Sequence, residues 1–394
     1  MLKSFAVRNF QAFHEQVQLS LALNNHAPED NRSFKSPGGS KLTKALAVIG
    51  PNASGKTTLI KSLAFLDWFI RQSFQSKIDA PIPLAAHFGA AHETTEFQID
   101  FEMDGKDWRY RLVASEARVY SESLYCKVTR AYSYVFARDW NPTSSSYDIK
   151  QHQFGFSQKE AERVRENASL LSTAAQYQVP LAVKICSMHT FTNMNVLGRH
   201  HIDDMQLFGA SALYAENEHL RSAMSRLLKG WDLGLSDIRI EQQTITRENG
   251  DKEDIYIPFG IHTVNGTEHS IMLKQESSGT QAAFLLLFRL LPSLASGGLA
   301  VIDELEADLH PHMLVPILDL FFSPETNPHN SQIIFTCHSI EVLSLLHKAQ
   351  VVLVEKNNNC QSHAWRLDDV KGIRADDNLY AKYMGGSYGA IPQL

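Results

Sequence analysis

Paired cysteines are the first thing missing from this chain. Its four cysteines, Cys126, Cys186, Cys337 and Cys360, lie far apart and form no Cys-x-x-Cys pair. That spacing argues against a disulfide framework and against a zinc site, and it fits a reducing, intracellular setting. A strong charge of one sign is also absent. The net charge is −6 and the pI is near 6.3, so no global basic field advertises nucleic-acid binding, and a basic contact has to be local. Long apolar runs are missing too. The opening MLKSFAVRNFQAF holds no apolar signal segment, and the most apolar stretch, 282–302, is broken by Arg289, Pro292, Gly297 and Gly298. It reads as a buried helix followed by a strand rather than as a membrane span. There is no internal repeat, heptad series or low-complexity tract. The expectation is a soluble, cytoplasmic protein without membrane contact, and its 394 residues suffice for a large core and for two or three domains.

What is present is organised around GPNASGKTT at 50–58. The segment fits the phosphate-binding pattern Gly-x4-Gly-Lys-Ser/Thr, with an apolar run at 45–49 before it and a helical pattern, TLIKSLAFLDWFI, after it. Gly50 and Gly55 let the backbone curl so that its N–H groups, including those of Asn52 and Ser54, point at a phosphate, and the helix start adds its positive dipole end. Lys56 is placed to reach the β/γ-phosphates. Thr57 offers its hydroxyl to Mg2+, and Thr58 continues the first turn.

Around this loop, 2–7 reads as a first strand and the Pro- and Gly-containing segment 24–41 as a loop. TTEFQIDFEMDG and KDWRYRLVAS alternate with period two and are joined by Asp104-Gly105, a hairpin signal. They predict an antiparallel β subdomain beside a parallel sheet. Residues 158–228 are largely helical in pattern and read as a lobe inserted between the phosphate loop and the rest of the machinery. Strand character returns at 236–241, in YIPFGIHTV and in EHSIMLK.

The remaining chemistry lies in the last third. GLAVIDE, 298–304, is an apolar strand ending in Asp303 and Glu304, where α/β sheets bind ligands; Asp303 suits Mg2+ and Glu304 an attacking water. Ser277, Ser278, Gly279 and Thr280 precede an apolar helix, and both a plain serine cap and an anion site fit them. SQIIFTCHS ends in His338, which lies beside Asp303 if the two strands pair. His310 and His312 are two apart across Pro311, and nothing else completes a metal ligand set.

Taken in order, these segments resemble the ATP-binding-cassette ATPases, in particular the soluble SMC, RecF and overcoming-lysogenisation branch. The resemblance implies an α/β P-loop ATPase head: a mixed sheet with an antiparallel β subdomain and an inserted helical lobe. Its parts are 1–104 with the Walker A loop, 105–260 as hairpins and helical insert, and 261–394 with the other motifs. The Walker A loop corresponds to 50–58, the signature to Ser277, Ser278, Gly279 and Thr280, Walker B to 301–304, the D-loop to 306–308, and the switch histidine to His338. Glu304, His338 and Lys56 are then catalytic, Thr57 and Asp303 hold Mg2+, and ATP is the nucleotide. Gln98 is a candidate Q-loop residue, although a solvated strand face explains it equally well. Beyond His338 the chain leaves no room for the acidic nuclease half of the overcoming-lysogenisation proteins, and Asp368, Asp369, Asp376 and Asp377 read as a solvated surface.

The segments RNF at 8–10, DLGLSDIRIE and KYMGGSYGAIP resemble compact bacterial AAA-type ATPases of phage-defence and retron systems. That likeness implies a homodimer or higher homo-oligomer with ATP sandwiched between one subunit's phosphate loop and the other's signature serines. It also implies a separately encoded effector nuclease or toxin as partner. A RecF-like DNA clamp is the competing expectation; it leaves room for DNA or RNA contact and needs a basic face, for which Lys159, Arg130, Arg138, Arg163 and Arg165 are candidates. The ATPase subunit of a membrane transporter fits less well, for want of a membrane-coupling pattern.

Overall fold

The computed structural model describes residues 1–24, 27–246, 250–374 and 377–392; Asp376 therefore lies outside the described residues. Alternation in a few short strands decides the architecture. In Ala45–Ile49 the side chains of Leu46 and Val48 enter one core, while Ala45, Ala47 and Ile49 enter another. Val301 and Ile334 share the first core, and their neighbours Ala300, Ile302, Ile333 and Phe335 share the second. Strands covered on both faces read as continuous apolar runs, which is why they stand out in the sequence.

These strands form a six-stranded sheet in the order Thr190–Thr192, Leu299–Ile302, Gln332–Thr336, Ala45–Ile49, Val351–Lys356, Ser362–Arg366. The first five run parallel and the last antiparallel. Its first face packs on the helix Lys56–Gln72, whose other side meets a seven-stranded antiparallel sheet. Phe65 stacks on Phe97 of that sheet at 5.3 Å and lies 6.3 Å from Phe10; truncating such a ring to alanine costs about 3–5 kcal/mol. The second face carries the helices Ser278–Ser296, Asp204–Glu216, Glu218–Gly230 and Leu314–Phe322. A three-stranded sheet of Asp237–Thr246, Lys252–Val264 and Thr267–Met272 completes this side.

The mixed α/β head and its antiparallel subdomain agree with the sequence. The hairpin turns at Asp104 (φ 54°) and Gly105 (φ 69°), both left-handed as a two-residue connection requires. Val17–Ser20 extends the sheet at one edge, and three further strands, Val119–Lys127, Tyr132–Asn141 and Ser146–Gln151, extend it at the other, beyond the sequence reading. Their alternation is hidden by buried polar groups. Glu122 is fully buried and accepts hydrogen bonds from Tyr110, from Ser169 and from the N–H of Leu170, and it faces buried Arg138 at 3.6 Å.

The helical stretch 158–228 is inserted between the phosphate loop and the later motifs, but it is divided. Leu170–Gln176 and Pro180–Cys186 join the first core; Asp204–Glu216 and Glu218–Gly230 join the second. Between them the chain forms the edge strand Thr190–Thr192, which pairs with Leu299–Ile302.

Candidate nucleotide-binding site

Three adjacent parallel strands end on the same side of the sheet and deliver the loop 50–55, the Asp303-Glu304 pair and His338. The loop is tight for a stated reason at each glycine. A Cβ on Gly50 would sit 2.0 Å from the carbonyl oxygen of Val354, and Gly55 has φ 110°, a left-handed conformation that side chains resist. The helix Lys56–Gln72 starts immediately afterwards, with no side chain capping its first N–H groups.

Lys56 is buried, and its Nζ donates to the carbonyls of Gly50 (2.9 Å) and Pro51 (3.0 Å). Burial holds its pKa below the ordinary lysine value, an effect partly offset by Asp303, Glu304 and Glu306. Ser54 Oγ is buried without a hydrogen-bond partner among the described residues. A desolvated ammonium, an unsatisfied hydroxyl and open helical N–H groups are the complement of a phosphate chain, so the residues present fit a nucleotide.

Thr57 Oγ1 donates to both carboxylate oxygens of Asp303, at 3.0 and 3.1 Å. Thr336 Oγ1 donates to Asp303 Oδ1 (2.7 Å) and accepts from the N–H of Glu304 (2.7 Å). Burial nevertheless raises the Asp303 pKa, against the two threonine hydrogen bonds. A buried carboxylate and a threonine hydroxyl within 3.1 Å form a ligand pair for a hard cation. Magnesium needs little more, since it draws its other ligands from water and phosphate. Among the described residues no group of three or more His, Cys, Asp or Glu side chains could hold a metal.

Glu304 adopts φ 51°, uncommon for a residue other than glycine, and such strain gathers at functional sites. Its carboxylate lies between Arg199 (3.0 Å) and His338 (3.4 Å). Glu306 accepts from the N–H groups of His338 and Ser339, so the turn after Glu304 braces the turn that carries the histidine. A cleft of about 770 Å³ is lined by Asn52, Ser54, Gly55, Lys56, Thr57, Thr58, Glu304 and His338, and on its opposite side by Ala12 and Lys356.

Ser277, Ser278, Gly279 and Thr280 do not line this cleft. Ser277 is the N-cap of Ser278–Ser296, accepting from the N–H of Thr280 at 3.1 Å, so the serine-cap reading is realised here. Ser277 and Ser278 remain exposed. A Cβ on Gly279 would meet the carbonyl oxygen of Asp308 at 2.9 Å, so the start of this helix lies against the turn after Walker B.

Two residues that touch the Walker B segment went unnoticed in the sequence. Asn193 Oδ1 accepts from the N–H of Asp303 (2.8 Å) while its Nδ2 donates to the Asp303 carbonyl (2.9 Å). Arg199 pairs with Glu304. Both follow the edge strand, and the signal for it was Thr-Phe-Thr before a turn, inside a segment read as helical. Gln98 is elsewhere, on the antiparallel sheet, where it accepts from Arg111 at 2.8 Å. Its place on a strand face, away from the cleft, removes it as a Q-loop candidate. Arg138 and Arg165 are likewise withdrawn from any basic face: the first donates to the carbonyls of Ala168, Val164 and Arg165, the second to those of Ser76 and Phe74.

With this geometry in place, the family model described as "AAA domain, putative AbiEii toxin, Type IV TA system" matches residues 46–344, well over half of the chain. The chain belongs to this family. The match runs from the strand before the phosphate loop past His338, so this AAA domain contains every motif described above. Among solved structures, the SMC head domain from Thermotoga maritima is similar at 12% identity with a TM-score of 0.40, over 93% of this chain and 98% of that one. No curated protein matches. Among the described residues of this AAA domain, no helix is long and apolar enough to cross a membrane.

Proposed function

We propose that the protein hydrolyses ATP with Mg2+ at a site shared between two subunits, and that the resulting open and closed states regulate a separate effector nuclease or toxin in an antiviral system. One observation carries the reading: Thr57, Asp303, Glu304 and His338 converge on the cleft that holds the phosphate loop, although they are up to 281 positions apart in the sequence. Strand order orients the nucleotide. Glu304 and His338 stand on one side of the Walker A strand, so the γ-phosphate belongs there. Lys356 and Ala12 stand on the other, beside the nucleoside end.

Lys56 and the loop N–H groups bind the phosphates, and Thr57 with Asp303 would hold Mg2+, which supplies charge neutralisation when bound. Glu304 accepts the proton of the attacking water, and His338 keeps its carboxylate in position. Glu304 meets that role only after giving up one of the two partners that now occupy its oxygens. The exposed Ser277 and Ser278 complete the phosphate site of a second subunit, and ATP favours the closed dimer by the difference in its affinity for the two states.

The family description names a toxin, which supports a toxin-linked role and also a reading in which the chain is itself the toxic component. Growth arrest on expression of this chain alone favours that second reading; arrest only with a co-expressed neighbour favours regulation. For the enzymatic claim, Glu304→Gln is expected to retain ATP, stabilise a dimer and lower hydrolysis by about 100-fold or more. Wild-type protein without ATPase activity, together with a Glu304→Gln variant that neither retains ATP nor dimerises, contradicts the proposal.

A further inference from the structure

Arg289 lies in the middle of Ser278–Ser296 and faces a cavity of about 340 Å³ between that helix and the turn after Walker B. It has no ion pair or hydrogen bond among the described residues, and its guanidinium lies over the adjacent ring of Phe288 at 4.4 Å. Burial pushes its pKa below the ordinary arginine value. Two further polar atoms nearby share this condition. His200 Nδ1 and Tyr214 Oη are buried without partners, and both groups interact electrostatically with Arg289. Arg289 is half-buried, and a partly desolvated guanidinium with no counter-charge carries a cost to which the unsatisfied groups beside it add.

We propose that this cavity is an oxyanion site and that phosphate is the ion it takes, held by Arg289 and His200. The guanidinium fork matches a tetrahedral oxyanion, and the lining combines the apolar Leu285, Leu286 and Ile302 with the polar Arg199, His201 and Gln206. Of the carboxylates that also line it, Glu304 is paired with Arg199 and His338, and Asp308 is exposed. Glu304 lines both this cavity and the nucleotide cleft, on the side assigned to the γ-phosphate. The ion therefore comes either from ATP cleaved next door or from phosphate in solution. The first source rests on the hydrolysis proposed above; the site itself does not.

The test measures inorganic phosphate binding to the full chain by titration calorimetry without nucleotide, in a Lys56→Met background that removes the phosphate-loop anion site. Adding Arg289→Met is expected to weaken phosphate binding by about tenfold or more, the lower end for a lost charge-assisted hydrogen bond. Arg289→Gln and His200→Phe should each weaken it by a smaller factor. Unchanged affinity in these variants, or no phosphate binding in the Lys56→Met parent, overturns the site. With Lys56 intact, nucleotide affinity of the Arg289 variants verifies that they are folded. The source is decided in single-turnover reactions comparing cleavage with phosphate release. Release that lags cleavage in wild type and loses its lag in Arg289→Gln assigns the ion to the cleft; the same lag in both, with phosphate affinity lost, assigns it to solution.

Discussion

Replacing Asn193 with alanine removes both hydrogen bonds that hold the main chain of Asp303. The edge strand pairs Thr190, Phe191 and Thr192 with Leu299, Ala300 and Val301, and the Asn193 side chain extends that ladder by one step. Asp303 is 3% exposed, so water does not readily replace what is lost. Two hydrogen bonds at about 1 kcal/mol each, plus the penalty for a buried N–H left unpaired, give a loss of roughly 2–4 kcal/mol. For a chain of this size that lowers Tm by roughly 2–5 °C. The same change loosens the turn that aims Asp303 and Glu304, and a displacement near 1 Å is enough to cost about 100-fold in turnover. Asn193→Asp keeps the shape and the acceptor but sets a carboxylate against the Asp303 carbonyl, so it should be no better. Thermal melts and steady-state ATPase assays on both variants give the answer. Normal turnover with lowered Tm would make Asn193 a purely structural residue, and no change in either refutes the reasoning.

Asp303→Asn should raise the Tm of the nucleotide-free protein while abolishing both hydrolysis and stabilisation by Mg2+, as scanning calorimetry with and without the ion would show. The sign follows from its raised pKa: the group favours the fold below its ordinary value of 3.8, and that contribution is withdrawn as pH rises through the folded value. His262 Nε2 lies 2.7 Å from Glu276 Oε1, next to the signature serines, and this partner raises its pKa above 6.5. The pair's stabilisation is thus complete below pH 6.5 and is lost as pH rises through the raised value; denaturant melts across that range should show the slope in wild type and not in His262→Gln. Lys356→Ala should weaken ADP and ATP binding alike, by about threefold to tenfold, because the proposed orientation sets it at the nucleoside end. A loss confined to ATP would reverse the assigned orientation.

Much of the site was legible because its parts are local patterns on buried strands. GPNASGKTT, Asp303-Glu304 and His338 each end an apolar run covered on both faces, and such runs survive in sequence whatever surrounds them. Asn193 and Arg199 were not legible. They act through a three-residue edge strand whose pairing with Leu299–Ile302 is long-range, and nothing local distinguishes that strand from a turn between helices. The antiparallel sheet was half seen for a different reason. Its hairpin announces itself at Asp104-Gly105, whereas the strand through Glu122 carries a buried carboxylate where an apolar residue would have kept the period. Arg138 and Arg165 looked like surface charge until their carbonyl partners appeared; a sequence records the charge of an arginine but not the cap it provides.

The central claim is that one subunit's phosphate loop works with the other's signature serines, and complementation tests it most directly. Lys56→Ala and Ser278→Arg should each be inactive alone, the first for want of nucleotide binding and the second because its dimer cannot close. Mixed in equal amounts and allowed to exchange, half the dimers are mixed, and each has one intact site of two. The account therefore predicts recovery of about a quarter of wild-type ATPase activity, as expected for a two-fold symmetric dimer. A mixture as inactive as its components would contradict it.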